Sequence, residues 1–222
     1  MQDKAFITDL IVQQGILPLY FYKDTTVSIE VLRALYAAGI RTVEYTNRGE
    51  DALKNFVAMR QVCDAELKGM HLGIGTIKNA DAAQAFIDAG ADYLISPGLV
   101  EQVAAVADKH NMLWVPGCMT PTEIISAENL GAKLIKLFPG NLLGPEFLSG
   151  IKSIFPNLLF MPTGGVELEK ENIGKWFKAG VCAVGMGSKL ITNKLLDTKD
   201  YQQITANTKT AIEIVQSVKQ TL

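Results

Sequence analysis

At 222 residues, 48% apolar and 20% charged, the chain is long enough to bury one substantial core and too lean in charge for long disordered tails. Twenty-one Lys and Arg against 23 Asp and Glu leave a net charge of -2, which excludes nucleic-acid binding through a broadly basic face but not a small anion held by a local cluster. Three scattered cysteines and two histidines exclude a disulfide framework and a His-rich metal site, and point to a reducing, cytoplasmic setting.

The N-terminus carries Asp3 early and leads into no long apolar run, so neither a signal peptide nor a membrane span is expected. A helix is expected over roughly 4–14. Short apolar runs then alternate with helix-like segments. The runs are Leu17–Tyr22, Thr42–Thr46, Leu72–Thr76, Tyr93–Ser96, Leu113–Pro116, Leu134–Phe138, Leu158–Met161 and Ala183–Met186. Eight strands, each followed by a helix, imply a parallel sheet covered by helices. Asn79 is a candidate N-cap for a helix over Ala80–Ala89, and Thr120–Glu123 (TPTE) reads as a capping box with proline at the first helical position. No Pro/Ser-rich linker divides the chain, so residues 1–222 form one expected domain.

An internal repeat sharpens the fold. Ala38–Glu44 (AGIRTVE) resembles Ala89–Ile95 (AGADYLI), Leu130–Lys136 (LGAKLIK) and Ala179–Gly185 (AGVCAVG). Each copy reads as a helix end, a glycine stop and the next strand. The glycines lie 51, 41 and 49 residues apart, so two βα units span about 47 residues. Eight such short units and a leading helix predict an α/β fold of one class, a compact (β/α)8 TIM barrel with an extra N-terminal helix. A doubly wound open sheet is the structural competitor.

Barrel interiors fill in layers of four, each from alternate strands. The fifth residue after each repeat glycine is equivalent, which predicts one inward layer of Glu44, Ile95, Lys136 and Gly185, with spare room at the glycine. A lysine inside the run Leu134–Phe138 is costly to bury charged. It is either half of a buried ion pair with Glu44 or a nucleophile. Burial disfavours the ammonium form of an amine, and only the free amine attacks a carbonyl. In the second case Glu44 is the proton shuttle. Arg48, just past the second strand, can grip a carboxylate in bidentate fashion or remain a solvated loop residue.

Glycine-rich stops follow the seventh and eighth strands, at Pro162–Gly165 (PTGG) and Gly185–Ser188 (GMGS). Gly164, Gly165, Gly187 and Ser188, with Thr163 beside them, are candidates for an anion cradle of backbone N–H groups. Thr76 ends the third strand with a hydroxyl at the mouth. Pro97 and Phe138 can wall a small apolar pocket. His71, His110, Trp114 and Trp176 read as structural, and Cys118 lacks a histidine to activate it.

The ordered set of motifs resembles the class I 2-keto-3-deoxy-6-phosphogluconate (KDPG) and 2-keto-4-hydroxyglutarate (KHG) aldolases. The matching stretches are Val43–Arg48 (VEYTNR), Gly73–Thr76 (GIGT), Ile95–Leu99 (ISPGL), Val115–Gly117 (VPG), Ile135–Pro139 (IKLFP), Pro162–Gly165 and Gly187–Ser188. The resemblance implies a cofactor-free, metal-independent aldolase of carbohydrate metabolism, in the Entner–Doudoroff route. It implies Lys136 as the Schiff-base residue and Glu44 as general acid/base. Arg48 and Thr76 would hold the pyruvate carboxylate, and Pro97 and Phe138 would enclose the reacting carbons. Gly164, Gly165 and Ser188 would bind phosphate, with Thr163 nearby. Its partners would be a keto-deoxy phosphosugar acid and pyruvate, with no nucleic acid or membrane, and the assembly a homotrimer. Substrates of the same family, KHG or the phosphogalactonate, stay open at this point. So do an imine-free phosphosugar isomerase or epimerase and a phosphosugar-binding protein. Tyr45 and Asn47 depart from the smaller or apolar residues common after the glutamate. Glu167 stands where the family often has serine or threonine. A carboxylate there repels a phosphate if it points inward, and Lys189 would offset it.

Overall fold

The computed structural model describes residues 3–222. Nine strands and ten helices follow one another as α1 (Lys4–Gln14), β1 (Ile16–Tyr20), α2 (Thr25–Ala37), β2 (Thr42–Thr46), α3 (Ala52–Glu66), β3 (His71–Gly75), α4 (Ala80–Asp88), β4 (Tyr93–Ile95), α5 (Glu101–Lys109), β5 (Leu113–Val115), β6 (Gly117–Cys118), α6 (Pro121–Asn129), β7 (Leu134–Leu137), α7 (Gly140–Ile151), β8 (Leu159–Pro162), α8 (Lys170–Lys178), β9 (Val184–Met186), α9 (Asn193–Asp197) and α10 (Tyr201–Lys219). All strand pairs are parallel. The order is β5-β4-β3-β2-β1-β9 in one sheet and β6-β7-β8 in the other. Apart from β9 beside β1, neighbours in space are neighbours in sequence. The order reversal of a doubly wound sheet is therefore missing.

Two boundaries correct the sequence reading. The run Leu113–Pro116 is a strand only as far as Val115. The chain pairs with β4 through Val115, passes Pro116, which has no N–H to donate, and pairs with β7 from Gly117. The first strand ends at Tyr20, not Tyr22, because Asp24 caps α2 by accepting from the Val27 amide at 2.9 Å. Elsewhere the repeat is realised as read. Gly39, Gly90, Gly131 and Gly180 end four helices with φ of +108°, +90°, +84° and +101°. Only glycine takes such angles without strain, so each turns its chain sharply into the next strand. Thr120 and Glu123 form the reciprocal capping box, and Asn79 accepts from the Ala82 amide at 2.8 Å.

The strands carry apolar residues on both faces because both are covered. Outward residues pack under the helices in the larger cluster, which includes Leu35, Phe56, Phe86, Trp114, Phe160 and Trp176. Inward residues of both sheets meet in a second cluster of Leu17, Tyr93, Ile95, Leu113, Val115, Leu134 and Met161. Ile7 and Ile11 of α1 belong to it, so α1 caps this interior at the N-terminal ends of the strands. Gln14 fastens the helix there. Its Nε2 donates to the Ile16 and Thr42 carbonyls, and its Oε1 accepts from the Arg41 and Thr42 amides. On the same end His71 lies 3.7 Å from Asp92 and edge-on to Phe6, a packing role. Among the described residues no helix is long and apolar enough to cross a membrane.

Because Ile11 is fully buried in the inner cluster, Ile11→Ala is expected to cost about 2–5 kcal/mol of unfolding free energy. Gln13→Ala on the exposed face of the same helix is expected to stay within about 0.5 kcal/mol. Urea unfolding followed by tryptophan fluorescence measures both. Equal, small losses would show that α1 is not part of the core.

Candidate active site

Glu44 on β2 and Lys136 on β7 both point inward. Glu44 shares its strand face with Thr42, whose hydroxyl donates to the Tyr93 hydroxyl of the inner cluster at 2.9 Å, and Lys136 shares its face with Leu134. Lys136 Nζ lies 3.5 Å from Glu44 Oε1. The residues are only 4% and 1% exposed. An ion pair kept for stability is expected at about 2.7–2.9 Å with its remaining lone pairs satisfied. Here the contact is long, and Glu44 Oε2 is buried with no hydrogen-bond partner. The arrangement leaves an amine and a carboxylate oxygen available to a third group.

The interior is cleared for them by glycines on β3. A Cβ on Gly75 would come within 1.7 Å of Glu44 Oε1, and one on Gly73 within 2.1 Å of the Tyr93 ring. Tyr93 fills the space next to this layer and donates to the Val43 carbonyl at 2.8 Å. The room expected at Gly185 is not empty. Thr163 Oγ1 stands 2.4 Å from where a Gly185 Cβ would lie, buried and without a partner.

One pleat further toward the C-terminal ends, Thr46 and Phe138 line a cavity of about 390 Å³. The Phe138 ring centroid is 5.4 Å from Lys136 Nζ. Arg48, Thr163, Gly164, Gly165, Gly187 and Ser188 line the same cavity, so seven of the residues singled out by sequence meet there. Its charged lining is Arg48 and Lys189, with no carboxylate. Among the described residues the amides of Gly164, Gly165, Val166, Ser188 and Lys189 donate no hydrogen bond. Free amides from two loops around one cationic cavity suit an anion. Glu167 does not line the cavity; its carboxylate lies 3.1 Å from Lys189 Nζ.

Lys136, Glu44, Thr76 and Pro97 do not line this cavity. Thr76 follows Gly75 and therefore adjoins Glu44. It holds φ of +62°, an outlier for a β-branched residue of the kind found at functional sites. The Pro97 carbonyl would lie 2.4 Å from a Gly117 Cβ, and Gly117 pairs with Lys136. Thr76 thus follows the glycine whose Cβ space Glu44 fills, and Pro97 lies against the glycine that pairs with Lys136, while the remaining residues line the anion cavity.

Sequence reasoning missed Phe21, Thr46 and Asn193, which also line the cavity. Phe21 comes from the β1–α2 loop and packs where a Gly49 Cβ would sit, 2.6 Å from its ring. Tyr45, the departure from smaller residues, holds that loop. Its hydroxyl donates to the Tyr22 carbonyl at 2.8 Å and accepts from Asn55 at 3.0 Å. The spacing Gly73-x-Gly75 was the one usable signal of interior clearance. Phe21 and Asn193 had none, being brought in from separate loops. Cys118 lies in the short β6, and burial pushes its thiol up to about 12. Burial likewise raises Cys63 to about 12 and Cys182 to about 11. His110 bonds Gln84, and buried Trp114 donates to Ser96.

Comparison with known proteins agrees with this geometry. A family model described as KDPG and KHG aldolase matches residues 7–207. The chain is 31% identical over 202 residues to the 2-dehydro-3-deoxy-phosphogluconate aldolase of Treponema pallidum (strain Nichols), covering 90% of this chain and 93% of that one. It is 30% identical to the KHG/KDPG aldolase of Escherichia coli K12, covering 89% and 91%. Among solved structures, the KDPG aldolase from Legionella pneumophila, with pyruvate captured as a covalent carbinolamine, superposes with a TM-score of 0.83 at 25% identity, over 94% of this chain and 97% of that one. The inward lysine and glutamate, the two glycine loops and these likenesses over nearly the whole length agree: the chain belongs to the KDPG and KHG aldolase family.

Proposed function

We propose that this protein is a class I aldolase that cleaves 2-keto-3-deoxy-6-phosphogluconate to pyruvate and glyceraldehyde 3-phosphate through an imine on Lys136. The observation that carries the reading is the buried Lys136 Nζ at 3.5 Å from a carboxylate whose second oxygen has no partner. A stability role does not account for that geometry, and proton transfer at an amine does.

The chemistry follows from the two groups. The free amine of Lys136 attacks the C2 carbonyl of the substrate, and the oxygen takes a proton to give a carbinolamine. Loss of water leaves the imine, which draws electrons from the C3–C4 bond. Glu44 removes the C4 hydroxyl proton, the bond breaks, and the aldehyde leaves. The enamine carbon is then protonated and water releases pyruvate. Thr76 and Arg48 hold the substrate carboxylate, and Pro97 and Phe138 wall the reacting carbons. Gly164, Gly165, Gly187 and Ser188, with Thr163, hold the phosphate. The cationic lining of the 390 Å³ cavity and its free amides support that last assignment. Neither half requires a metal or cofactor.

The same reading extends to the whole molecule. We take the two sheets as the halves of one closed (β/α)8 barrel forming a single domain over residues 1–222. The bridge between Thr163 and Gly185, and the continuity of β5 into β6 through Pro116, support closure. A homotrimer in the cytoplasm, serving the Entner–Doudoroff breakdown of sugar acids, is the setting expected for such an enzyme. The three unpaired cysteines fit a reducing compartment.

Borohydride reduction with pyruvate is expected to leave one stable adduct, on Lys136, and Lys136→Met is expected to abolish it. Peptide mass mapping reads the result, and a folded protein without adduct would exclude the imine. Glu44→Gln should keep an acid-free carbonyl near the amine yet lower kcat by about 10²–10⁴-fold. Gly75→Ala, which drives Glu44 from its place, is expected to lower kcat in the same direction while leaving unfolding cooperative. Because all three thiols are held in the protonated form at neutral pH, prior iodoacetamide treatment at pH 7 should leave turnover intact. Loss of activity on alkylation would return Cys118 to the list of reacting groups.

A further inference from the structure

The ion pair between Glu167 and Lys189 joins the two loops that surround the anion cavity. Glu167 lies two residues after Gly165 and Lys189 one after Ser188, and their charged atoms are 3.1 Å apart. The Lys189 side chain is 55% exposed and that of Glu167 37%. A pair so open to water contributes little and exchanges readily. The two partners differ in freedom. The Glu167 backbone is fastened by Asn172, whose Oδ1 accepts from the Glu167 amide at 3.0 Å while its Nδ2 donates to the Gly165 carbonyl at 3.4 Å. Lys189 carries its charge on a flexible four-carbon stem and lines the cavity, whereas Glu167 does not. Among the described residues, Glu167 is the one carboxylate within ion-pair distance of Lys189.

We propose that Glu167 is an internal competitor for the phosphate site. It holds Lys189 at the rim of the cavity, and a phosphate takes Lys189 over, since a dianion surrounded by free amides offers it stronger charge-assisted bonds than one exposed carboxylate. The pair then sets how strongly the site selects phosphorylated over unphosphorylated keto acids: Lys189 adds affinity for the phosphate, and Glu167 subtracts part of it. The inference rests on the phosphate half of the proposed function and not on the imine.

Calorimetric titration of the full chain with inorganic phosphate at low ionic strength tests it, using Glu167→Gln, Lys189→Met and the double variant. Glu167→Gln is expected to tighten phosphate by about 3–10-fold and Lys189→Met to weaken it by a similar factor. In the Lys189→Met background the Glu167→Gln gain is expected to fall below about 2-fold, because the competition is for that lysine. Unchanged or weaker phosphate binding by Glu167→Gln would overturn the proposal. So would an equal gain in both backgrounds, which would make Glu167 a diffuse repulsive charge only. Pyruvate and borohydride labelling of Lys136 in each variant keeps the two readings apart. Labelling without any phosphate binding overturns the competitor and leaves the aldolase. The expected phosphate responses without labelling support the competitor and remove the aldolase.

Discussion

Taking an amine and a carboxylate out of water costs several kcal/mol per ion, and a single 3.5 Å contact between Lys136 and Glu44 recovers only part of that. The molecule carries this cost at the centre of a packed interior. Around it the architecture is a solution to one problem: how to hold two polar groups close together, unsolvated and not fully satisfied, without letting the interior collapse or flood. Parallel strands apolar on both faces, an outer sleeve of helices and a helix capping the N-terminal ends leave the C-terminal ends as the way in.

Space in that interior is allocated by residues with no side chain. Gly75 exists as glycine because Glu44 occupies its Cβ volume, and Gly73 because Tyr93 does. Gly185 makes the same allowance for Thr163. A layer of four inward positions therefore holds only three side chains of its own, and the fourth space belongs to a neighbour from the adjacent strand end. Close packing explains why such allowances matter. An interior at crystal-like density has no slack to absorb an added methyl group, so a glycine-to-alanine change is felt directly by the group it displaces.

The mouth is divided in two. The amine of Lys136 and the carboxylate of Glu44 are buried, where electrostatic interactions are strong, and Thr76 and Pro97 are half-buried. The cationic cavity with its free amides lies nearer the strands' C-terminal ends, beside the exposed Lys189, where an ion can exchange with water. Phe138 belongs to both, with its ring near Lys136 and lining the cavity. In the proposed reaction, separating the two lets a phosphate bound at a distance position the reacting carbons without adding charge beside the amine.

Much of this is legible in the amino-acid sequence. The pairing of Glu44 with Lys136 follows from the internal repeat, while the strand runs, the glycine stops at Gly39, Gly90, Gly131 and Gly180 and the capping box at Thr120 follow from periodicity and local backbone preference. These are short-range rules: a glycine at positive φ, a threonine capping its own helix, and side chains alternating along a strand need only a few neighbouring residues. Outside that repeat-derived layer, sequence could not decide which side chains share one volume. The break at Pro116, the filling of the Gly185 space by Thr163, the Phe21 wall and the division of the mouth all depend on contacts between residues far apart in the chain. Sequence by itself determined the elements, their direction and the inward pairing of Glu44 with Lys136. Only the tertiary structure decided their clearances and company, because volume exclusion and desolvation act between residues that adjacency in the chain does not reveal.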